Sequence, residues 1–209
     1  MEAGVGGELG KARFSGAQFV RPIRSVCVFC GAREGGDPAY AAAAERLGET
    51  IAEAGLELVY GGGRVGLMGR LSRAAIRRGG SVIGVIPRFL VPSEGASEGL
   101  KELIVVETMH ERKRIMFERA DAFIALPGGV GTLDELAEQV VWGQLGRHSK
   151  PIVLADVRGF WRPLIMLLDH MRAEGFLHDL PEHVLRVAPR IEDVLDAATT
   201  VKIAGRAAE

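Results

Sequence analysis

Seven short runs rich in Val, Ile, Leu and Phe punctuate the chain, at residues 24–30, 56–60, 81–86, 102–107, 121–126, 151–155 and 184–188. Each is largely apolar along its length instead of alternating, the mark of a strand buried on both faces. Longer segments with helical periodicity fill the intervals. Strand and helix in alternation predict an α/β fold, a doubly wound parallel sheet of about seven strands with helices on both faces. The first helix has the sharpest boundaries: Asp37 stands at its N-cap, Pro38 at its first position and Gly55 just past its end, so it is expected over Pro38 to Ala54.

In an open sheet of this kind ligands bind beyond the carboxyl ends of the strands. Three of those exits carry glycine: Cys30-Gly31-Ala32, the run Tyr60-Gly-Gly-Gly-Arg-Val-Gly66, and the run Pro127-Gly-Gly-Val-Gly-Thr132. Glycine lets the backbone come close to an anion, and the helix that follows adds unpaired N–H groups and a positive dipole end. Gly61, Gly63 and Gly66 also fit a dinucleotide fingerprint, which requires an acidic residue at the end of the next strand. That strand ends Val85-Ile86-Pro87-Arg88, so a nicotinamide cofactor is not expected. Gly62 and Gly63, together with Gly128, Gly129, Gly131 and Thr132, are the candidate phosphate-binding positions. For the first of these two turns, glycines that merely permit tight packing are an equal alternative.

Thr132-Leu133-Asp134-Glu135 has the form of a capping box, with Thr132 bonding forward to the N3 amide and Glu135 reaching back. The open amides before it would set Glu135 beside a ligand. On a helical wheel Leu133, Leu136, Ala137, Val140, Val141 and Gln144 form the expected sheet-facing stripe, with Glu135 and Trp142 on the other side. A large aromatic there favours a covered surface, a subunit interface near the site. After the fourth strand, Met109, Met116 and Ala120 align, flanked by Arg112 and Lys113, while Glu111, Arg114 and Glu118 are expected in solvent.

Composition narrows the picture further. Hydrophobic residues are 47% and charged residues 25% of 209, an ordinary globular mixture that one domain accommodates. Residues 23–200 are assigned to that domain, with flexible tails over 1–22 and 201–209. A net charge of -1 offers no broad positive field, so neither nucleic acid nor an anionic membrane is expected as a partner. The opening residues lack the apolar run of a secretory signal and no stretch is long enough to span a membrane, which predicts a cytoplasmic protein. Cys27 and Cys30 fall three apart on one strand and so point to opposite faces, as packed thiols rather than a redox or metal pair. The histidines, His110, His148, His170, His178 and His183, include no i, i+4 pair, and no metal is expected.

Taken together, Tyr60-Gly-Gly-Gly63, Gly66-Leu-Met-Gly69, Met109-His-Glu-Arg-Lys113 and Pro127-Gly-Gly-Val-Gly-Thr-Leu-Asp-Glu135, with Trp142-Gly-Gln-Leu-Gly-Arg-His148 and Gly175-Phe176, form an ordered set. This set resembles the Lonely Guy family of cytokinin-activating phosphoribohydrolases, over roughly Val26 to Phe176. The resemblance implies a Rossmann-like fold, a homodimer or larger assembly, and release of free base and ribose 5-phosphate from nucleoside 5′-monophosphates. It makes Arg112 and Glu135 the catalytic pair and Lys113 a ligand contact. It also implies a substrate-binding segment from Gly129 through Val130, Gly131, Thr132, Leu133 and Asp134 to Glu135, and a substrate-contacting acid, Glu94, in the loop before the fourth strand. Val130 stands where many members have Tyr, and Val141 where many have Thr.

Breaking an N-glycosidic bond builds positive charge on the ribose while electrons flow into the base, so an anion is needed near the sugar. Glu135, at a helix N-terminus, is expected to stay ionised for that purpose. Arg112 cannot lose its proton and is expected to clamp phosphate or ribose oxygens. No cofactor is required by such chemistry. Two other classes compete: a carrier that holds a nucleotide-like ligand uncleaved, as molybdenum-cofactor carriers do, and a pyridoxal-dependent decarboxylase, for which Lys113 or Lys150 would have to form the Schiff base.

Overall fold

The computed structural model describes residues 22–95, 97–177 and 184–199. The two expected tails, apart from residue 22, lie outside the described residues, as do His178 and His183. All seven expected strands form: β1 Ser25–Phe29, β2 Glu57–Tyr60, β3 Val82–Pro87, β4 Glu102–Val106, β5 Ala122–Ala125, β6 Ile152–Ala155 and β7 Arg186–Ala188. Between and after them run α1 Pro38–Glu53, α2 Gly66–Arg77, α3 Val91–Glu94, α4 Met109–Arg119, α5 Val130–Gln144, α6 Arg162–Ala173 and α7 Val194–Thr199. Helix α1 starts as expected, with Pro38 at its first position and the Asp37 carboxylate accepting from the Ala39 amide at 2.9 Å.

The strands pair in the order β4-β3-β2-β1-β5-β6-β7, every pair parallel. From β1 the chain builds outward through β2, β3 and β4, then returns to β1's other side with β5. The carboxyl ends of β1 and β5 are therefore where connections diverge to opposite directions, and a crevice opens there. Strand alternation divides the core into two layers. Val26, Val28 and Cys30 face one cluster, completed by Leu47 and Ile51 of α1, Leu67 and Leu71 of α2, and Val194 of α7. Cys27 and Phe29 face the other, with Met116 of α4, Leu136 and Val140 of α5, and Trp161. Cys27 and Cys30 are buried and free, on opposite faces of the sheet as the spacing predicts.

Among the described residues no helix is long and apolar enough to cross a membrane. One expected phase is corrected. In α5 the buried residues are Thr132, Glu135, Leu136, Gln139, Val140 and Gly143, while Leu133, Ala137, Val141 and Gln144 are exposed. The wheel had put apolar residues inward; the helix instead turns two polar side chains, Glu135 and Gln139, toward the sheet. Trp142, expected under a covered surface, packs edge-on against Phe117 of the same chain, with ring centroids 5.1 Å apart.

Candidate active site

A cavity of about 570 Å³ occupies the crevice between the ends of β1 and β5. The backbone holds the two exits together: the Gly31 amide donates to the Pro127 carbonyl at 3.1 Å, and the Leu67 amide of α2 donates to Gly31 at 3.0 Å. One wall is the turn from Pro127 to Thr132. Helix α5 begins there at Val130, with Gly129 as an N-cap that offers no side-chain bond. The first amides of a helix have no intrahelical acceptor, so those of Val130, Gly131 and Thr132 are open to an anion. A methyl group built at Gly129 or Gly131 would meet nothing within 4 Å, so the backbone is bare toward the cavity at both positions.

The capping box expected at Thr132 is absent, because the N-cap is Gly129, three residues earlier. Thr132 lies inside the first turn, buried, and its hydroxyl would come within 2.1 Å of a Cβ at Gly128, so Gly128 is needed for the hydroxyl to fold back. A capping box does form at the start of α4. There the Thr108 hydroxyl accepts from the Glu111 amide at 3.1 Å, and the Glu111 carboxylate accepts from the Glu107 and Thr108 amides. Glu111 is thus a cap residue as well as an exposed one.

On the floor of the cavity lie the two residues expected to do the chemistry. Arg112 is 7% exposed, and its guanidinium is fixed on three sides. Nε donates to the Val85 carbonyl at 3.1 Å, Nη2 donates to the Gly61 carbonyl at 2.9 Å, and Nη1 stands 3.5 Å from Oε1 of Glu135. Five N–H donors serve those three directions, which leaves capacity for a ligand oxygen. Glu135 is equally buried. It lies in the second turn of α5 and not at the helix end, so the dipole that was expected to hold it ionised acts on it less. Burial pushes its carboxyl up to about 7 despite the downward pull of Arg112, with Asp134 adding to the rise, Lys113 opposing it and Glu94 adding further. Such a group changes protonation near neutral pH, where a general acid or base is most effective.

Glu94 reaches the same cavity from the last residue of α3, a short helix rather than a loop. Its Oε2 is buried without a hydrogen-bond partner, and only 2.9 Å would separate it from a Cβ at Gly63. An acceptor held out of water and unpaired has a strong incentive to meet a donor on a ligand.

The remaining sequence candidates divide. Gly128, Gly129, Val130, Gly131 and Thr132 line the cavity, but Gly62, Gly63, Lys113, Leu133 and Asp134 do not. Lys113 instead bridges α4 to α5, with Nζ 3.1 Å from Asp134 and in contact with Glu138. Gly62 and Gly63 are packing positions: Gly62 has φ +79° and a Cβ there would lie 2.8 Å from that of Ile86, while one at Gly63 would strike Met68. Several lining residues carried no motif. Tyr40 and Phe160 make an edge-to-face pair at 5.8 Å on one wall, whereas Met68 and Met109, which add apolar surface, do belong to quoted motifs. Tyr40 lies on the first helix, whose sequence shows only an ordinary apolar position. Phe160 follows β6, a strand whose exit has no glycine-rich turn.

Among the described residues no lysine lines the cavity. Lys150 lies elsewhere, with Nζ donating to the Phe117 carbonyl at 2.6 Å and sitting 3.8 Å over the Phe117 ring. Neither lysine is placed to form a Schiff base in the cavity.

A family profile described as "Possible lysine decarboxylase" matches residues 68–198. The cytokinin riboside 5′-monophosphate phosphoribohydrolase of Rhodococcoides fascians is 48% identical over 175 residues, 83% of this chain and 88% of the relative. The enzyme LOG7 of Arabidopsis thaliana is 44% identical over 173 residues, covering 83% of this chain and 80% of the relative. A molybdenum cofactor binding protein from Rippkaea orientalis superposes with a TM-score of 0.60 at 25% identity, over 82% of this chain and 93% of that one. With identities of this size across four-fifths of its length, the chain belongs to the cytokinin riboside 5′-monophosphate phosphoribohydrolase, or Lonely Guy, family.

Proposed function

We propose that the protein hydrolyses the N-glycosidic bond of an adenosine 5′-monophosphate, with or without an N6 substituent, to free base and ribose 5-phosphate. The observation that carries this reading is the pairing of Arg112 with a buried Glu135 about one turn beyond the open amides of α5. Helix rise puts roughly 7 Å between the first residue of α5 and Glu135, a span suited to the distance from a 5′-phosphate to the anomeric carbon. The phosphate sits on the amides of Val130, Gly131 and Thr132. That anchor brings the anomeric carbon to Glu135 and supplies binding energy to hold the reacting bond in place.

In the hydrolysis, the bond from the anomeric carbon to the base nitrogen breaks with its electron pair going to the base. Ionised Glu135 takes a proton from the attacking water, whose oxygen bonds to the anomeric carbon, and faces the positive ribosyl as it forms; that proton ends on the departing base nitrogen through solvent, so that neutral base and ribose 5-phosphate are released. Arg112, anchored on two carbonyls, orients ribose or phosphate oxygens through its remaining N–H groups. Glu94 meets the base as an acceptor for a ring or amino N–H.

A homodimer, in a cytoplasmic setting, accompanies this reading. Exposed Val130, Leu133, Val141 and Leu145 form an apolar band along α5 that begins at the cavity mouth, where Val130 also lines the site. A second copy on that band would roof the cavity.

The test is release of adenine from adenosine monophosphate and of the modified base from isopentenyladenosine monophosphate, under multiple turnover. Glu135→Gln and Arg112→Ala are each expected to cost on the order of 100-fold or more in kcat/KM. Rates unchanged in both variants would remove the assignment; tight ligand binding without turnover would favour a binding protein that holds its ligand uncleaved. Sedimentation of Val141→Glu/Leu145→Glu is expected to show a monomer where the parent is a dimer.

A further inference from the structure

A second concavity, of about 340 Å³, opens between α2 and the segment after α3, and it shares no lining residue with the main cavity. Its lining is Arg64, Arg73, Ile76, Arg77, Ser97 and Glu98. Other arginines of the same region are neutralised: Arg70 pairs with Glu34 and Glu45, and Arg78 with Glu49 and Glu53. Arg64, Arg73 and Arg77 form no ion pair among the described residues. Arg73 is steadied in another way, its Nη1 donating to the Arg64 carbonyl at 2.9 Å.

The floor is polar as well. Ser97 is buried, with its hydroxyl 2.8 Å from that of Ser72. Behind this pair the Tyr60 hydroxyl is buried and lacks a partner in bonding geometry, although Ser97 and Ser72 are near enough to influence it. Three guanidinium forks over a hydroxyl floor match the tetrahedral oxygens of a phosphoryl group. Glu98 shares the lining with the three arginines, so its ionisable residues carry a net charge of +2. A phosphoryl dianion matches that charge, and a monoanion leaves half of it uncompensated.

We propose that this concavity binds a phosphoryl anion of charge two or more, separately from the nucleotide in the main cavity. Its occupancy bears on that cavity through Arg64. The Arg64 amide donates to the Glu94 carbonyl at 3.1 Å, and its side chain lies across Gly95, where a Cβ would come within 2.4 Å of Nε. An anion that draws the Arg64 guanidinium inward acts on the segment carrying Glu94, and hence on nucleotide affinity more than on the bond-breaking step.

Calorimetric titration of the intact protein with inorganic pyrophosphate, and in a second arm with inorganic phosphate, tests this at fixed ionic strength. At least one anion is expected to bind saturably, and the arm that binds tighter identifies a free phosphate or a linked pair as the preferred form. Arg73→Ala/Arg77→Ala, both exposed positions, is expected to weaken that binding at least tenfold while leaving the anion-free hydrolysis rate within twofold. Arg112→Ala is expected to leave the anion affinity within twofold. In the parent, saturating anion shifts the nucleotide KM at least twofold, and the double variant shows no shift. Absence of saturable binding up to millimolar anion, equal affinity in the arginine double variant, or loss of binding only in Arg112→Ala would each overturn the proposal.

Discussion

The two glycine-rich turns look interchangeable on paper and are opposites in space. After β2, a Cβ added at Gly61 would lie 2.0 Å from Nη2 of Arg112, one at Gly62 would collide with Ile86, and one at Gly63 with Met68. After β5, Gly129 and Gly131 have nothing within 4 Å of the same imagined atom. The first turn uses missing side chains to admit protein, above all the Arg112 guanidinium. The second uses them to leave room for something that is not protein. A glycine motif thus marks a close approach without saying what approaches; only the neighbours do.

Gly61→Ala should break this contrast most severely. Its methyl group displaces a buried guanidinium from two carbonyls, which should cost roughly 2–4 kcal/mol in stability and on the order of 100-fold or more in kcat/KM. Urea unfolding and steady-state kinetics measure the two losses; a variant that keeps both stability and rate would show that Arg112 does not need this seat.

Protonation of Glu135 sharpens the comparison by reporting on the second turn alone. With its pKa near 7, kcat/KM should fall about tenfold per pH unit below that value and level off above it. Stability runs the other way. A carboxyl whose folded pKa is raised binds its proton more tightly in the native state, so its contribution is full below the unfolded value of about 4.5 and is lost as pH rises through about 7. Glu135→Gln should therefore gain stability relative to the parent between pH 5 and pH 8, by about 1–3 kcal/mol, as followed by thermal melts across that range. A flat difference would mean the carboxyl stays ionised throughout.

The mildest effect belongs to Gly131→Ala. With open space at that position, the melting temperature should stay within about 2 °C, while the added methyl group crowds a phosphate on the α5 amides and raises KM about fivefold to tenfold. An unchanged KM would place the phosphate elsewhere.

What the sequence discloses follows the same division. The strands were legible because burial on both faces leaves an unbroken apolar run, and Val26 to Phe29 or Ile152 to Ala155 can hardly be anything else. Helix α5 misled because hydrophobicity stands in for burial everywhere except at a functional site, where Glu135 and Gln139 are inside and Leu133 and Val141 outside. The Thr-x-x-Glu pattern occurs at both Thr108 and Thr132, yet it caps only α4; at Thr132 the helix has already begun, set by the extended Gly129. Arg112 and Glu135 were identifiable by family resemblance, but their mutual distance and the seat at Gly61 depend on chain segments about fifty residues from Arg112 on one side and more than twenty on the other, which no local pattern encodes.

The pairing of β1 with β5 has one more outcome. Gly31 and Pro127 meet only after nearly a hundred intervening residues have been laid down and their strands stacked in order, and contacts so remote along a chain form late in folding. The crevice is whole only when these two strands are paired, so a nucleotide that touches both of its walls would bind the folded chain and not the unfolded one, and would raise the chain's stability in proportion to its concentration.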